Sequence, residues 1–154
     1  MRALAKHLGE DEEIWGLTGL IHDIDIELCD KDMSIHGKLG ADIARELGAT
    51  EDIAHAIMCH NEMLGVKRET PLDKALYCAD PVTGLITAAA LIRPEKKLEP
   101  VEAKSVRKRF KEKSFAAGAS REQIARCSEI GLELDEFIEI SLDAMKGIAE
   151  DLGL

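Results

Sequence analysis

Histidines and aspartates recur near the ends of apolar segments in the first 80 residues. In "GLIHDIDIELCD", residues 19–30, an apolar run ends in a His-Asp pair, and Asp25 follows two residues later. Imidazole nitrogens and carboxylate oxygens together suit Mn, Fe, Co, Ni or Zn ions. A single histidine at the end of an apolar segment would be interpreted as structural. A series of histidines and aspartates at several predicted helix ends instead indicates a metal site at which those ends meet. Its members are His22, Asp23, His36, His60 and Asp80.

Apolar residues with helical spacing must position these side chains. Ile14, Leu17 and Ile21 recur in this way and predict a helix that ends near the His-Asp pair. A second amphipathic helix is predicted over residues 34–47, so that His36 lies at its start. A third follows the capping residue Thr50 and ends near His60.

The second half of the chain also carries helix signals. Thr70-Pro71-Leu72-Asp73 combines a capping hydroxyl, a proline at the first position and an acid at the third. The helix that begins there is predicted to end at Asp80, because Pro81 interrupts it. Ser120 opens a capping box, and residues 135–152 form a final amphipathic helix. No segment favours a strand, so the fold class predicted is all-α.

Composition narrows the class of protein. Apolar residues make up 45% of the 154 residues but aromatic residues only 3%, which predicts a folded, aliphatic core. The formal net charge of −10 disfavours nucleic acid and anionic membranes as partners. Six bases in residues 104–113 are read as a solvated helix face. Four isolated cysteines, with no signal peptide or membrane-spanning run, indicate a cytoplasmic protein.

The ordered segments resemble the HD-domain metal-dependent phosphohydrolases in their HDIG-like form. The resemblance is carried by "LTGLIHDID", "HGKLGADIARELG", "IAHAIMCHNE" and "PLDKALYCADPVTGL", in the family's order. It implies an HD-like helical core over residues 1–95. Residues 96–154 are then a C-terminal helical extension packed on that core, as in an uncharacterised branch. The segment after His60 lacks the GYP motif of the cyclic-dinucleotide phosphodiesterase branch.

The resemblance also implies roles for the series. His22 and Asp23 match the paired metal ligands, Asp80 matches the final aspartate, and His36 and His60 match histidines that hold a second ion. His55 matches no ligand position and is expected to pack or face solvent. Asp25 stands where many members have a glycine. Two roles are open for it: an acceptor that hydrogen-bonds a metal ligand from behind, or an acid in a solvated loop. We favour the loop acid.

One ligand of the family has no counterpart here. Members normally carry an earlier histidine on the first helix, and His7 lies too close to His22 to match it. We therefore expect the first helix to be incomplete, or another group to replace that ligand.

The function implied is hydrolysis of a small phosphate ester, for instance a nucleotide, by water that one or two divalent transition metals activate. Two alternatives remain open: a diiron oxygenase of the same superfamily, and a module that binds metal or nucleotide without turnover. The sequence names neither the substrate, nor the metal, nor the oligomeric state.

Overall fold

The computed structural model describes residues 1–30 and 32–154. These residues form helices and no strand, which confirms the predicted all-α class. The helices are α1 (Arg2–Leu8), α2 (Glu12–Ile21), α3 (Lys38–Glu46), α4 (Glu51–His60), α5 (Pro71–Leu91), α6 (Ala103–Lys111), α7 (Arg121–Ala125), α8 (Leu134–Lys146) and α9 (Ala149–Leu152). Short 3-10 turns occur at Glu62–Leu64 and Arg126–Ile130.

The chain divides into two compact units, Met1–Tyr77 and Cys78–Leu154, and the boundary falls inside α5. The first unit holds α1 to α4 and the start of α5. The second holds the rest of α5 and the remaining helices. The division expected near residue 95, between an HD-like core and a C-terminal extension, stays a prediction.

Helix α2 begins where the sequence indicates but buries a different face. Asp11 caps it by accepting hydrogen bonds from the backbone of Glu13 and Ile14 at 2.9 and 3.0 Å. Its buried residues are Trp15 and Thr18, whereas Leu17 of the predicted apolar stripe is 42% exposed. The apolar stripe therefore predicts the position of the helix but not the face that packs. The packing face is the one that carries Trp15, because its side chain is the largest apolar one on the helix and its burial contributes most.

Helices α3 and α4 pack closely through small residues. Ala41 and Ala44 of α3 form one apolar cluster with Ile53, Ala54 and Ile57 of α4. The predicted start of α3 at residue 34 is wrong. Gly37 has a φ of +83°, outside the helical region, so the helix begins only at Lys38 and His36 precedes it.

The predicted break at Pro81 is also wrong, because α5 continues through it to Leu91. A proline inside a helix removes one hydrogen bond and costs about 3 kcal/mol. Val82, Leu85 and Ile86 are fully buried just beyond it. Burial of each such side chain contributes about 1.5–3 kcal/mol, and this outweighs the single lost bond.

In the second unit, α6 packs against α8. Val106 of α6 is buried, as are Phe137 and Ile138 of α8. The single final helix predicted over residues 135–152 is instead two, because α8 ends before Gly147 and α9 begins at Ala149. Among the described residues, every helix is too short or too polar to cross a bilayer.

The Arg121 guanidinium binds the carboxyl end of α6 and the turn after it. The carbonyls of a helix's last turn have no partners inside the helix. Arg121 donates to two of them, those of Arg109 and Phe110, at 3.3 and 3.2 Å. It also donates to the carbonyl oxygens of Glu112, Phe115, Ala116 and Ala119.

Arg121→Lys is expected to lower the free energy of unfolding by about 2–4 kcal/mol, because an ammonium group cannot reach so many acceptors at once. Urea unfolding followed by circular dichroism measures this loss. Arg126→Lys is the matched control: Arg126 is exposed, forms an ion pair with Glu129, and should change stability by no more than about 0.5 kcal/mol. Equal effects of the two substitutions would contradict the capping role.

Candidate metal centre

His22 and Asp23 follow directly after the last residue of α2. The Nδ1 atom of His22 lies 2.9 Å from the carbonyl oxygen of Gly19, one turn earlier. A carbonyl only accepts, so Nδ1 carries the ring proton of a neutral His22, and Nε2 presents a lone pair. That Nε2 lies 3.5 Å from Oδ2 of Asp23.

His60 and His36 bring two more imidazoles to the same carboxylate. His60 ends α4 and its Nδ1 donates to the Ile57 carbonyl at 2.5 Å. His36 directs its Nδ1 to Asp25 at 2.9 Å. The Nε2 atoms of His36 and His60 then lie 3.4 and 3.3 Å from Oδ1 of Asp23, and 3.0 Å from each other.

These atoms form a cluster of acceptors. With each Nδ1 already donating, the Nε2 atoms of neutral His36 and His60 face each other as lone pairs beside the Asp23 carboxylate. Such an arrangement is repulsive unless a proton or a metal cation lies between them. When His60 also carries a proton at Nε2, its hydrogen bond to Asp23 lowers the pKa of that carboxyl against the opposing effect of burial, and the charge of His22 adds to the lowering. An ionised carboxylate and three nitrogen donors fit a divalent transition metal.

Asp25 is not the loop acid favoured from the sequence. Its side chain is completely buried, and its Oδ2 accepts hydrogen bonds from the backbone N–H groups of Gly37 and Gly40, both at 2.8 Å. Its Oδ1 binds His36. Burial raises the pKa of Asp25, but the two backbone donors and His36 outweigh it and hold the pKa below its usual value. Asp25 thus fixes the ring orientation of His36 from behind.

Asn61 is a second residue that sequence reasoning missed. Its amide donates to the carbonyl oxygens of Met33 and His36 at 2.7 and 2.8 Å. Its Oδ1 accepts from the backbone of Met63 at 3.0 Å. Asn61 therefore ties the segment before α3 to the end of α4, where His60 lies. The only sequence signal was its position next to that histidine.

Asp80 belongs to the second unit and is partly buried on α5. The hydroxyl of Thr83 donates to its backbone carbonyl at 2.8 Å. Its part as a metal ligand stays a prediction. His55 belongs to another group of side chains, with Cys59 and Asp73.

The cluster of His22, Asp23, His36 and His60, held by helix ends of an all-α unit, is typical of one family. The chain matches the HD domain over residues 1–90, more than half of its length, and belongs to that family. HD domains bind divalent metals.

The curated relatives that match are ribonucleases Y. The protein of Oleidesulfovibrio alaskensis is 33% identical over 123 residues, which cover 77% of this chain and 23% of that protein. The protein of Geobacter sulfurreducens is 28% identical over 152 residues, covering 97% of this chain and 29% of that protein. This chain thus spans about a quarter of the length of these relatives. No solved structure is a significant match.

Gly40 allows the backbone of α3 to approach Asp25. A Cβ atom at this position would lie 3.1 Å from Oδ1 of Asp25 and 3.2 Å from Cγ2 of Ile57. Neither neighbour can move easily, because one is held by three hydrogen bonds and the other is fully buried. Gly40→Ala is therefore expected to destabilise the protein by about 1–2 kcal/mol despite the better helix propensity of alanine.

Thermal unfolding measures this effect, and Gly84→Ala provides the control. Gly84 is an exposed glycine inside α5, and a Cβ there would meet nothing within 4 Å. The same substitution should stabilise the protein at that site by about 0.5–1 kcal/mol. A rise in Tm for both variants would show that α3 has room at Gly40.

Proposed function

We propose that this protein is a metal-dependent phosphohydrolase whose divalent cation is held by His22, Asp23, His36 and His60. The observation that supports it is the convergence of three imidazole Nε2 atoms on Asp23 while each Nδ1 is engaged elsewhere. Ordinary core packing does not require this arrangement, and it leaves the nitrogens ready to bind a metal.

The residues around the cluster prepare it for this chemistry. A bound divalent cation supplies Lewis acidity toward a phosphoryl oxygen and lowers the pKa of water. His36 and His60 are 3% and 5% exposed, whereas the Asp23 side chain is 46% exposed. The cluster therefore has two buried rings behind and a half-open carboxylate in front, where a substrate can approach. Asp25 keeps the His36 ring oriented and makes its Nε2 atom a more basic ligand for a metal.

The substrate is proposed as a phosphate ester. A small ester such as a nucleotide carries fewer negative charges than RNA and is therefore repelled less by a chain of net charge −10. The likeness to ribonucleases Y supports testing a phosphodiester of RNA beside it. Any phosphate group must approach an acidic chain, and a bound dication reverses the local sign of charge.

The test measures the metal content of the purified protein and then its activity on nucleoside monophosphates, bis-p-nitrophenyl phosphate and end-labelled RNA. We expect bound transition metal and hydrolysis of at least one of these classes. Chelation should abolish the activity, and Mn²⁺, Co²⁺ or Zn²⁺ should restore it. Metal-loaded protein that hydrolyses none of them would overturn the proposal and favour the module without turnover; oxygen consumption by iron-loaded protein would favour the oxygenase.

A further inference from the structure

A second group of ligand-type side chains lies where α4 and α5 meet in the first unit. The Nδ1 atom of His55 is 3.6 Å from Sγ of Cys59. The same Nδ1 is 3.1 Å from Oδ2 and 3.2 Å from Oδ1 of Asp73. The three ligand atoms all lie within 4.8 Å of one another. None of these residues belongs to the cluster around Asp23.

The local structure fixes each of them. His55 and Cys59 are four residues apart on α4, so both project from one face of the helix. Asp73 caps α5: its Oδ2 accepts from the backbone of Glu69 and Thr70, both at 2.9 Å, while the Thr70 hydroxyl accepts from the backbone of Asp73. The capping bonds occupy Oδ2 and leave Oδ1 beside the imidazole.

We propose that His55, Cys59 and Asp73 form a binding site for a zinc-like divalent metal, separate from the centre around Asp23. Nitrogen, sulfur and carboxylate oxygen are the ligands that zinc takes in proteins. Atoms bound tetrahedrally at about 2.0–2.3 Å lie about 3.3–3.8 Å apart. The Nδ1–Sγ distance of 3.6 Å falls in this range, and the Nδ1–carboxylate distances of 3.1 and 3.2 Å are slightly shorter. Three protein ligands leave a fourth position for water, as in open zinc sites.

Burial limits access to the site and keeps its thiol protonated until a cation binds. Cys59 and Asp73 are completely buried, whereas the His55 side chain is 32% exposed and gives a cation a path from solvent. The Cys59 thiol donates to the His55 carbonyl at 3.0 Å, and metal binding would release that proton. Burial, and after it the Asp73 carboxylate, raises the pKa of the Cys59 thiol to about 12. Arg68 donates to the Cys59 carbonyl at 3.4 Å, and its charge has only a lesser, opposing effect, so the thiolate forms only when a bound cation displaces the proton.

Cobalt titration of the metal-free 154-residue protein tests the proposal independently of hydrolysis. A thiolate ligand gives Co²⁺ a sulfur-to-metal charge-transfer absorption in the near ultraviolet, which histidine and carboxylate ligands do not give. We expect this absorption in the unaltered protein and in Asp23→Asn, where the other centre is impaired. It should be absent from Cys59→Ser. Cys29→Ser is the matched control, since Cys29 is a buried cysteine near Asp25 and His36, and it should retain the absorption.

Zinc should also raise the Tm of Asp23→Asn but not that of Asp23→Asn combined with Cys59→Ser. Circular dichroism verifies that each variant is folded, and His55→Ala provides a second variant that should lose the absorption. The proposal is overturned if folded, unaltered protein saturated with Co²⁺ shows no thiolate absorption. It is equally overturned if Cys59→Ser retains it.

Discussion

Asp23→Asn is expected to reduce phosphoester hydrolysis by about a thousandfold, because a bound cation contributes several kcal/mol of transition-state stabilisation and each ~1.4 kcal/mol is a factor of ten. Asparagine keeps the shape of the side chain but removes the charge on which three Nε2 atoms converge. The half-exposed position makes little demand on packing, so the helical circular dichroism spectrum should not change. Metal analysis and initial rates measured together would show both losses.

Glu27→Gln is the matched control for this prediction. Glu27 is an exposed acid four residues further along the same loop, and its substitution removes the same charge. It should leave metal content and activity close to those of the unaltered protein. If Asp23→Asn retained full metal content and rate, the centre would have to be sought elsewhere.

Asp25→Ala is expected to have the largest effect on stability, about 3–5 kcal/mol. The substitution leaves the buried N–H groups of Gly37 and Gly40 and the Nδ1 of His36 without their acceptor. Since domains of this size are stable by about 5–15 kcal/mol, a large share of the total would be lost. Urea unfolding at neutral pH measures the change.

Asp32→Ala gives the comparison for Asp25→Ala. Asp32 is exposed in the same loop and accepts hydrogen bonds from the backbone and hydroxyl of Ser34 at 2.9 and 2.6 Å. Its loss should cost about 1 kcal/mol, as for other local caps. The remaining folded Asp25→Ala protein should also bind metal about 10–100-fold more weakly, because His36 loses its orienting partner. A loss of stability no larger than that of Asp32→Ala would refute the supporting role of Asp25.

Local signals in the sequence predict much of the fold. The Thr70-Pro71 start and the Ser120 cap are found as expected, because the groups that make these caps are three or fewer residues apart. The break at Pro81 fails as a prediction for the opposite reason. Whether one lost hydrogen bond ends a helix depends on how deeply the residues beyond it are buried, which local sequence does not record.

The same distinction applies to the metal centre. The types and order of His22, Asp23, His36 and His60 indicate metal chemistry from the sequence alone. The role of Asp25 could not be deduced, since its backbone donors are 12 and 15 residues away along the chain. The stretch "HGKLG", residues 36–40, reveals the role of Asp25 only when the structure shows that the backbones of both glycines lie against its carboxylate.

The two amides that bind Asp25 have a practical consequence for solution experiments. The N–H groups of Gly37 and Gly40 donate to a carboxylate with no solvent exposure, so their protons can exchange with deuterium only when the loop separates from α3. In an NMR spectrum these two glycines would report how often the centre opens, without any substrate or assay. When the loop recloses faster than the amides exchange, the logarithm of the ratio of their exchange rates without and with cation would then give the free energy that metal binding adds to this one segment.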